Sequence, residues 1–379
     1  MTDNQRLSAF LHAHQADMAA HLTQLVEIES PSDNKPSLDR LAAVLAEQAL
    51  DFGAEVTVYA RDTAGDIVCA RWGDGDGGTL LLCHMDTVWE LGTLAERPVR
   101  VEGDRLYGPG AFDMKGGIVN ALWAMRALRE LKLMPGRRVT LLITSDEEIG
   151  SDASRALIEA EARAHEVVFV LEPAHPPRAS LKTWRKGVGG YRVTVTGRAS
   201  HAGAAHDEGI NAIAELARHI LAIQALTDYA AGTTVNVGVV RGGTRSNVVP
   251  EQAWAEVDYR VMNMAEAARV DAFMHGLTPQ RAGIKLEVTG GLNRPPMVRT
   301  PAIAALYARA EAVAAELGFP LTETGTGGGS DGNFTAALGV PTLDGLGVVG
   351  DGGHALHEHV VLSSLPERAA LLAGLIRER

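Results

Sequence analysis

The chain has 379 residues, 46% of them hydrophobic, which is enough for two domains or for one domain interrupted by another. No apolar run has the length needed to cross a bilayer, and 35 Lys and Arg against 47 Asp and Glu leave a formal charge of -12, which repels phosphate backbones and excludes nucleic acid as a main partner. The polar amino terminus lacks the basic-then-apolar pattern of a secretory signal, so a cytoplasmic protein is expected, and Cys69 and Cys83 lie in apolar runs as small buried hydrophobes.

Apolar residues at helical spacing predict a helix over residues 6–29 and a second over 37–52. Strand-like runs follow at 55–59, 66–72, 79–83 and 138–144, with a helical pattern over 116–131 before the last. This alternation makes the first half α/β. Between 187 and 291 the order becomes strand, helix, strand, strand, helix, strand, at 191–195, 211–223, 233–240, 253–261, 265–276 and 284–288, which is the split βαβ order of a ferredoxin-like domain. A helix over 301–317, a Gly-rich loop, a strand at 341–346 and a helix over 365–377 then resume the first pattern. The sequence reads as a discontinuous α/β domain, residues 1–186 and 297–379, carrying an inserted α+β domain, residues 187–296.

Chemistry-bearing residues gather where these strands end. The apolar run from Leu80 stops at His84-Met85-Asp86, and alternation along a strand puts His84 and Asp86 on one side, as a metal ligand and its orienting carboxylate require. A His hydrogen-bonded in the core is the plainer alternative. Asp113, in the glycine-dense run 108–117, either bridges two ions or caps the helix that follows. Asp146-Glu147-Glu148 closes the next strand, where adjacent side chains point opposite ways and crowded carboxylates call for a cation. Glu172 follows the apolar run 167–171, and His354 lies in Gly-Gly-His-Ala-Leu-His-Glu, residues 352–358. His, Asp, Glu, Glu and His at strand ends suit borderline ions with nitrogen and oxygen ligands.

Several motifs in one order carry a resemblance: His84-Met-Asp86-Thr-Val88, Gly108-x-Gly-x-x-Asp113-x-Lys-Gly-Gly117, Asp146-Glu-Glu148, Glu172-Pro173, Ser200-His-Ala-Gly203 with Gly209-x-Asn211-Ala212, and Gly327-Gly-Gly-Ser-Asp331. They span nearly the whole chain. The sequence resembles the co-catalytic zinc metallopeptidase family of glutamate carboxypeptidase, aminoacylase, acetylornithine deacetylase and succinyl-diaminopimelate desuccinylase, and looks most like glutamate carboxypeptidase.

That resemblance implies a zinc-peptidase catalytic domain interrupted by a dimerisation or lid domain. It implies two divalent ions, zinc or in its place cobalt or manganese, one held by His84, Asp113 and Glu172 and the other by Asp113, Glu148 and His354. Asp86 would orient His84, Glu147 would be the general base, and His201 would stabilise the oxyanion from the other subunit of a homodimer. His206 stands where glutamate carboxypeptidases usually have Pro. Spacing favours His354 over His357 and His359, which are expected to be exposed neighbours. Asn247, Arg260 and Arg294 are expected contacts to substrate carboxylates, and backbone N–H groups of the loop 325–332, Gly328 among them, could cradle one.

The expected reaction is hydrolysis of an amide next to a free carboxylate, releasing a C-terminal glutamate-like residue from a peptidyl or N-acyl substrate. An aminoacylase, deacetylase or dipeptidase for small N-acyl amino acids shares the same machinery. A nucleotide-binding loop is disfavoured because Gly327-Gly-Gly-Ser lacks the Lys-Ser/Thr ending, and an inactive homologue because no catalytic residue is missing.

Overall fold

The strand Thr79–His84, apolar from Leu80 to Cys83, is buried along its whole length because it lies inside a six-stranded sheet. The computed structural model describes residues 1–378, and in it this sheet has the order Glu55–Tyr59, Ile67–Trp72, Val139–Thr144, Thr79–His84, Val167–Val170, Thr342–Leu343. The last four strands are parallel and the first two antiparallel. Both faces are covered, as a parallel sheet requires. Leu81 and Cys83 belong to one apolar core with the helices Asp3–Ala13, Gln15–Val26, Lys35–Asp51, Gly116–Glu130 and Ser364–Arg377, while Leu80 and Leu82 join a second core that includes Ile158 and Phe334. All four parallel strands therefore end at the same edge, where side chains just beyond them converge.

The chain divides into two compact units, one made of Met1–Trp184, Arg299–Thr326 and Ser330–Arg379, the other of Arg185–Val298 with Gly327–Gly329. In the second, an antiparallel sheet of order Thr234–Gly242, Gln252–Val261, Gly187–Thr196, Lys285–Arg294 carries the helices Ala212–Gln224 and Met264–His275 on one face. Burial alternates residue by residue along Gln252–Val261, so one face of the sheet is core. This is the ferredoxin-like order the sequence suggests.

The expected single helix over 6–29 is instead two, broken at His14. There the ring Nδ1 lies 2.8 Å from the Phe10 carbonyl, the acceptor that His14 N–H would use in a continuous helix, and that N–H bonds the Leu11 carbonyl instead. Several elements escape the sequence reading, among them the helix Arg155–Arg163, the strand Leu181–Arg185, and a small antiparallel sheet of Gly350–Asp351, His359–Val361, Arg105–Tyr107 and Arg100–Glu102. Its strands have two or three residues, too few for a periodicity to register.

Candidate metal centre

Two sets of three side chains, all in the first unit, bring ligand atoms within 4.8 Å of one another: His84, Asp113 and Glu172, and Asp113, Glu148 and His354. Asp113 is common to both. His84 Nε2 lies 3.2 Å from Asp113 Oδ1 and 3.5 Å from Glu172 Oε1, and His354 Nε2 lies 3.1 Å from Glu148 Oε1 and 3.4 Å from Asp113 Oδ2. The donor set, two imidazole nitrogens and three carboxylates with one able to bridge, fits a pair of borderline divalent ions.

Each side chain has a local reason for its place. His84 ends the central strand, and its other nitrogen, Nδ1, faces Asp86, 3.0 Å from the backbone carbonyl and 3.4 Å from Oδ1. The fully buried Asp86 carboxylate also accepts the Ser32 hydroxyl at 2.7 Å and the N–H groups of Glu147 at 3.2 Å and Glu148 at 3.1 Å. One carboxylate thus faces the ring of His84 and pins the turn that presents Glu147 and Glu148, a second role that sequence reasoning missed. Ser32, its donor, was missed as well.

Asp113 is not a helix cap. The helix Gly116–Glu130 has no side-chain cap at its start, and Asp113 turns toward the two His rings. Gly117 explains how that turn reaches Glu172: a Cβ there would come within 2.2 Å of the Leu171 carbonyl oxygen, so only glycine allows the helix to start against the end of the neighbouring strand. On its other side the turn is held by Glu358, which accepts from the N–H groups of Gly110, Phe112 and Asp113. In the sequence Glu358 does no more than end the stretch 352–358 that holds His354.

His354 sits at φ +63 in an exposed loop. His357 is exposed as expected, but His359 is buried: it packs at 5.2 Å from Tyr107, on the strand it pairs with.

The charges of this cluster lean on one another. Burial favours the neutral ring of His84, yet Asp113, Asp86 and Glu172 hold its pKa well above the ordinary value. Asp113 and Glu148 lift His354 to about 11. Burial pushes Asp113 up, but the bonds from His354 and His84 outweigh it and hold the carboxyl well below the usual range. Glu148 is raised to about 7, by burial first and by the neighbouring Asp113 charge, against the pull of His354. Positive charge is what this cluster of carboxylates calls for.

In the second unit, His201 Nδ1 accepts the N–H groups of Gly203 and Ala204, both at 3.1 Å. A neutral ring so held carries its proton on Nε2. Residues 206–208 form a short 3-10 turn after it. Asn247 lies beside this loop, its carbonyl accepting the Ala202 N–H at 3.0 Å. Arg260 forks Asp258, Nε to Oδ1 at 2.9 Å and Nη2 to Oδ2 at 2.7 Å. Arg294 is buried, with Asn293 Oδ1 at 2.9 Å, and Gly329 packs on it so closely that a Cβ would stand 2.9 Å from Arg294 Cδ. Gly328 is held by its carbonyl, which accepts from the buried Arg185 at 3.1 Å, a partner absent from the sequence reading.

Residues 80–378 match the model of the peptidase family M20/M25/M40. Carboxypeptidase G2 of Pseudomonas sp. (strain RS-16) is 34% identical over 369 residues, 94% of this chain and 88% of the relative. Acetylornithine deacetylase of Myxococcus xanthus is 33% identical over 268 residues, 64% of this chain and 66% of the relative. The crystal structure of aminopeptidase PepT from Bacillus cereus superposes with a TM-score of 0.76, at 23% identity over 96% of this chain and 98% of that one, so the fold is shared. With this family match extending over most of the residues that build the cluster, the chain belongs to peptidase family M20/M25/M40 and is a hydrolase of that metal-dependent family.

Proposed function

We propose that this hydrolase cuts an amide bond adjacent to a free carboxylate with two divalent ions, zinc by expectation and cobalt or manganese as substitutes, releasing a C-terminal glutamate-like residue. The observation that carries the reading is the sharing of Asp113 between two three-residue groups, one of which contains Glu148, the chain neighbour of Glu147. His84, Asp113 and Glu172 would hold one ion, and Asp113, Glu148 and His354 the other. Bound there, such ions supply Lewis-acid polarisation of a carbonyl and lower the pKa of water.

The chain's own groups do the rest. Asp86 keeps the proton of His84 on Nδ1, leaving Nε2 as the ligand atom. The Glu147 carboxylate takes a proton from the attacking water and passes it to the leaving amine. His201, with Nδ1 engaged, offers Nε2–H to the developing oxyanion, delivered from the second protomer of a homodimer through the inserted unit. The dimer reading is supported by the Thr234–Gly242 strand at the sheet edge, with Val239 and Val240 exposed on it and Ile213 and Leu221 exposed on the neighbouring helix. Arg294, Asn247 and the N–H of Gly328 are the proposed substrate contacts, with Arg260 already engaged by Asp258. Two buried, unbridged thiols suit the reducing cytoplasm, the proposed location.

Zinc-loaded protein assayed on a panel of peptidyl and N-acyl amino acids tests this. Release of glutamate from the acidic members is expected. Faster turnover of simple acetylated amino acids moves the chain to the deacylase branch, the second reading favoured by its 33% identity to acetylornithine deacetylase.

A further inference from the structure

Glu358 is fully buried, yet both its carboxylate oxygens are fully used: Oε1 accepts from the N–H groups of Phe112 at 3.0 Å and Asp113 at 3.1 Å, and Oε2 from the N–H of Gly110 at 3.0 Å and the Trp89 indole at 2.8 Å. The glycine-dense turn 108–113 is wrapped around this one side chain. Gly110, at φ +72, allows three of its N–H groups to point the same way. The donors come from two segments that carry site residues. Trp89 follows Asp86 by three residues, and the third backbone donor is Asp113 itself. Glu358 in turn closes the loop of His354, its own N–H bonding the Ala355 carbonyl at 3.0 Å.

We propose that Glu358 is a positioning residue for the dinuclear site, setting the carboxylate that both ions would share and fixing it relative to His354. The proposal rests on the dinuclear reading above. Its physical basis is that a ligand carboxylate on a flexible turn must be ordered at each binding event, whereas a turn with its N–H groups already bonded presents Asp113 in place. Because Asp113 serves both groups, disturbance of Glu358 acts on both ions. Loss of an ordinary ligand such as His84 would act first on one.

Glu358→Gln tests this. The amide keeps the size of the side chain but, whichever way it is turned, presents an NH2 to two N–H donors. Wild-type and variant apoprotein are compared by zinc competition titration, by the visible spectrum of the cobalt-loaded protein and by thermal unfolding. Two ions per wild-type chain are expected, with both steps weakened roughly 10- to 100-fold in the variant and its apo Tm within about 5 °C of wild type. Wild-type affinity at both steps in the folded variant overturns the proposal, as does weakening of one step alone. If Glu358→Gln does not fold, Glu358→Asp decides, because it keeps both acceptors and draws them back by one methylene: weakening of both steps supports the proposal and wild-type binding overturns it. A wild-type chain that binds no second ion fails the dinuclear reading instead, and shows itself before any variant is made.

Discussion

The two halves of the candidate centre are built differently although they share Asp113. On one side His84 is rooted in the central strand, almost wholly buried, with Asp86 on its second nitrogen and the buried Glu172 beside it. On the other, His354 is on a loop with its side chain 52% exposed, and among the described residues only its Nε2 is engaged. Pre-ordered ligands lose less freedom on binding than mobile ones, so the two halves should hold their ions unequally. A single centre can thus combine a fixed ion and an exchangeable one, and the difference comes from the element that carries each imidazole.

Removing metal has the largest expected effect. Chelation should abolish activity, with the ion near His354 leaving first and the other needing longer exposure, followed by metal analysis of the dialysed protein. Simultaneous loss would break the comparison. Next comes Glu147→Gln, expected to lower kcat by about 10²- to 10⁴-fold with two ions still bound, since the backbone N–H that bonds Asp86 is untouched.

The paired variants His84→Ala and His354→Ala sharpen the contrast. Each should weaken one binding step by more than the roughly 10- to 100-fold typical of a residue that only orients a ligand, and both should lower the Tm of the apoprotein, His84→Ala by more because it also empties a buried position.

Proton linkage gives a smaller signal. In the metal-free protein His354 is raised to about 11, so its contribution to stability is complete below its ordinary value and is lost as pH rises through about 11. Glu148, raised to about 7, likewise favours the fold while protonated and loses that contribution as pH rises through about 7. Loading zinc at neutral pH should therefore release about two protons from the imidazoles and a further fraction of one from Glu148, read by calorimetry in buffers of different ionisation enthalpy. Affinity independent of pH between 6 and 8 would contradict it.

Arg260→Ala should change KM by less than about twofold, since its fork is already filled by Asp258. Arg294→Ala should raise KM by more.

Much of this was legible because strands ending in charged residues leave a plain mark. The run 80–84, wholly apolar until His84, and the run 139–144 before Asp146-Glu147-Glu148 announce both a buried strand and what lies at its end. Glycines at 116 and 117 were legible as a motif, but their reason, the carbonyl of Leu171 against Gly117, was not. Asn211 shows the reverse: a motif residue whose side chain caps the helix Ala212–Gln224 by accepting the Ala214 N–H at 2.9 Å.

By itself the sequence determined the alternation of strands and helices, the ferredoxin-like order of the middle segment and the identity of the residues that converge, because periodicity and residue chemistry are local properties. Only the tertiary structure decided that Asp113 faces two imidazoles rather than a helix end, that Asp86 holds the Glu147 turn, and that Glu358 holds the Asp113 turn from 245 residues away. A buried carboxylate is satisfied by whichever N–H groups the fold brings to it, and those partners leave no trace in the spacing of the chain.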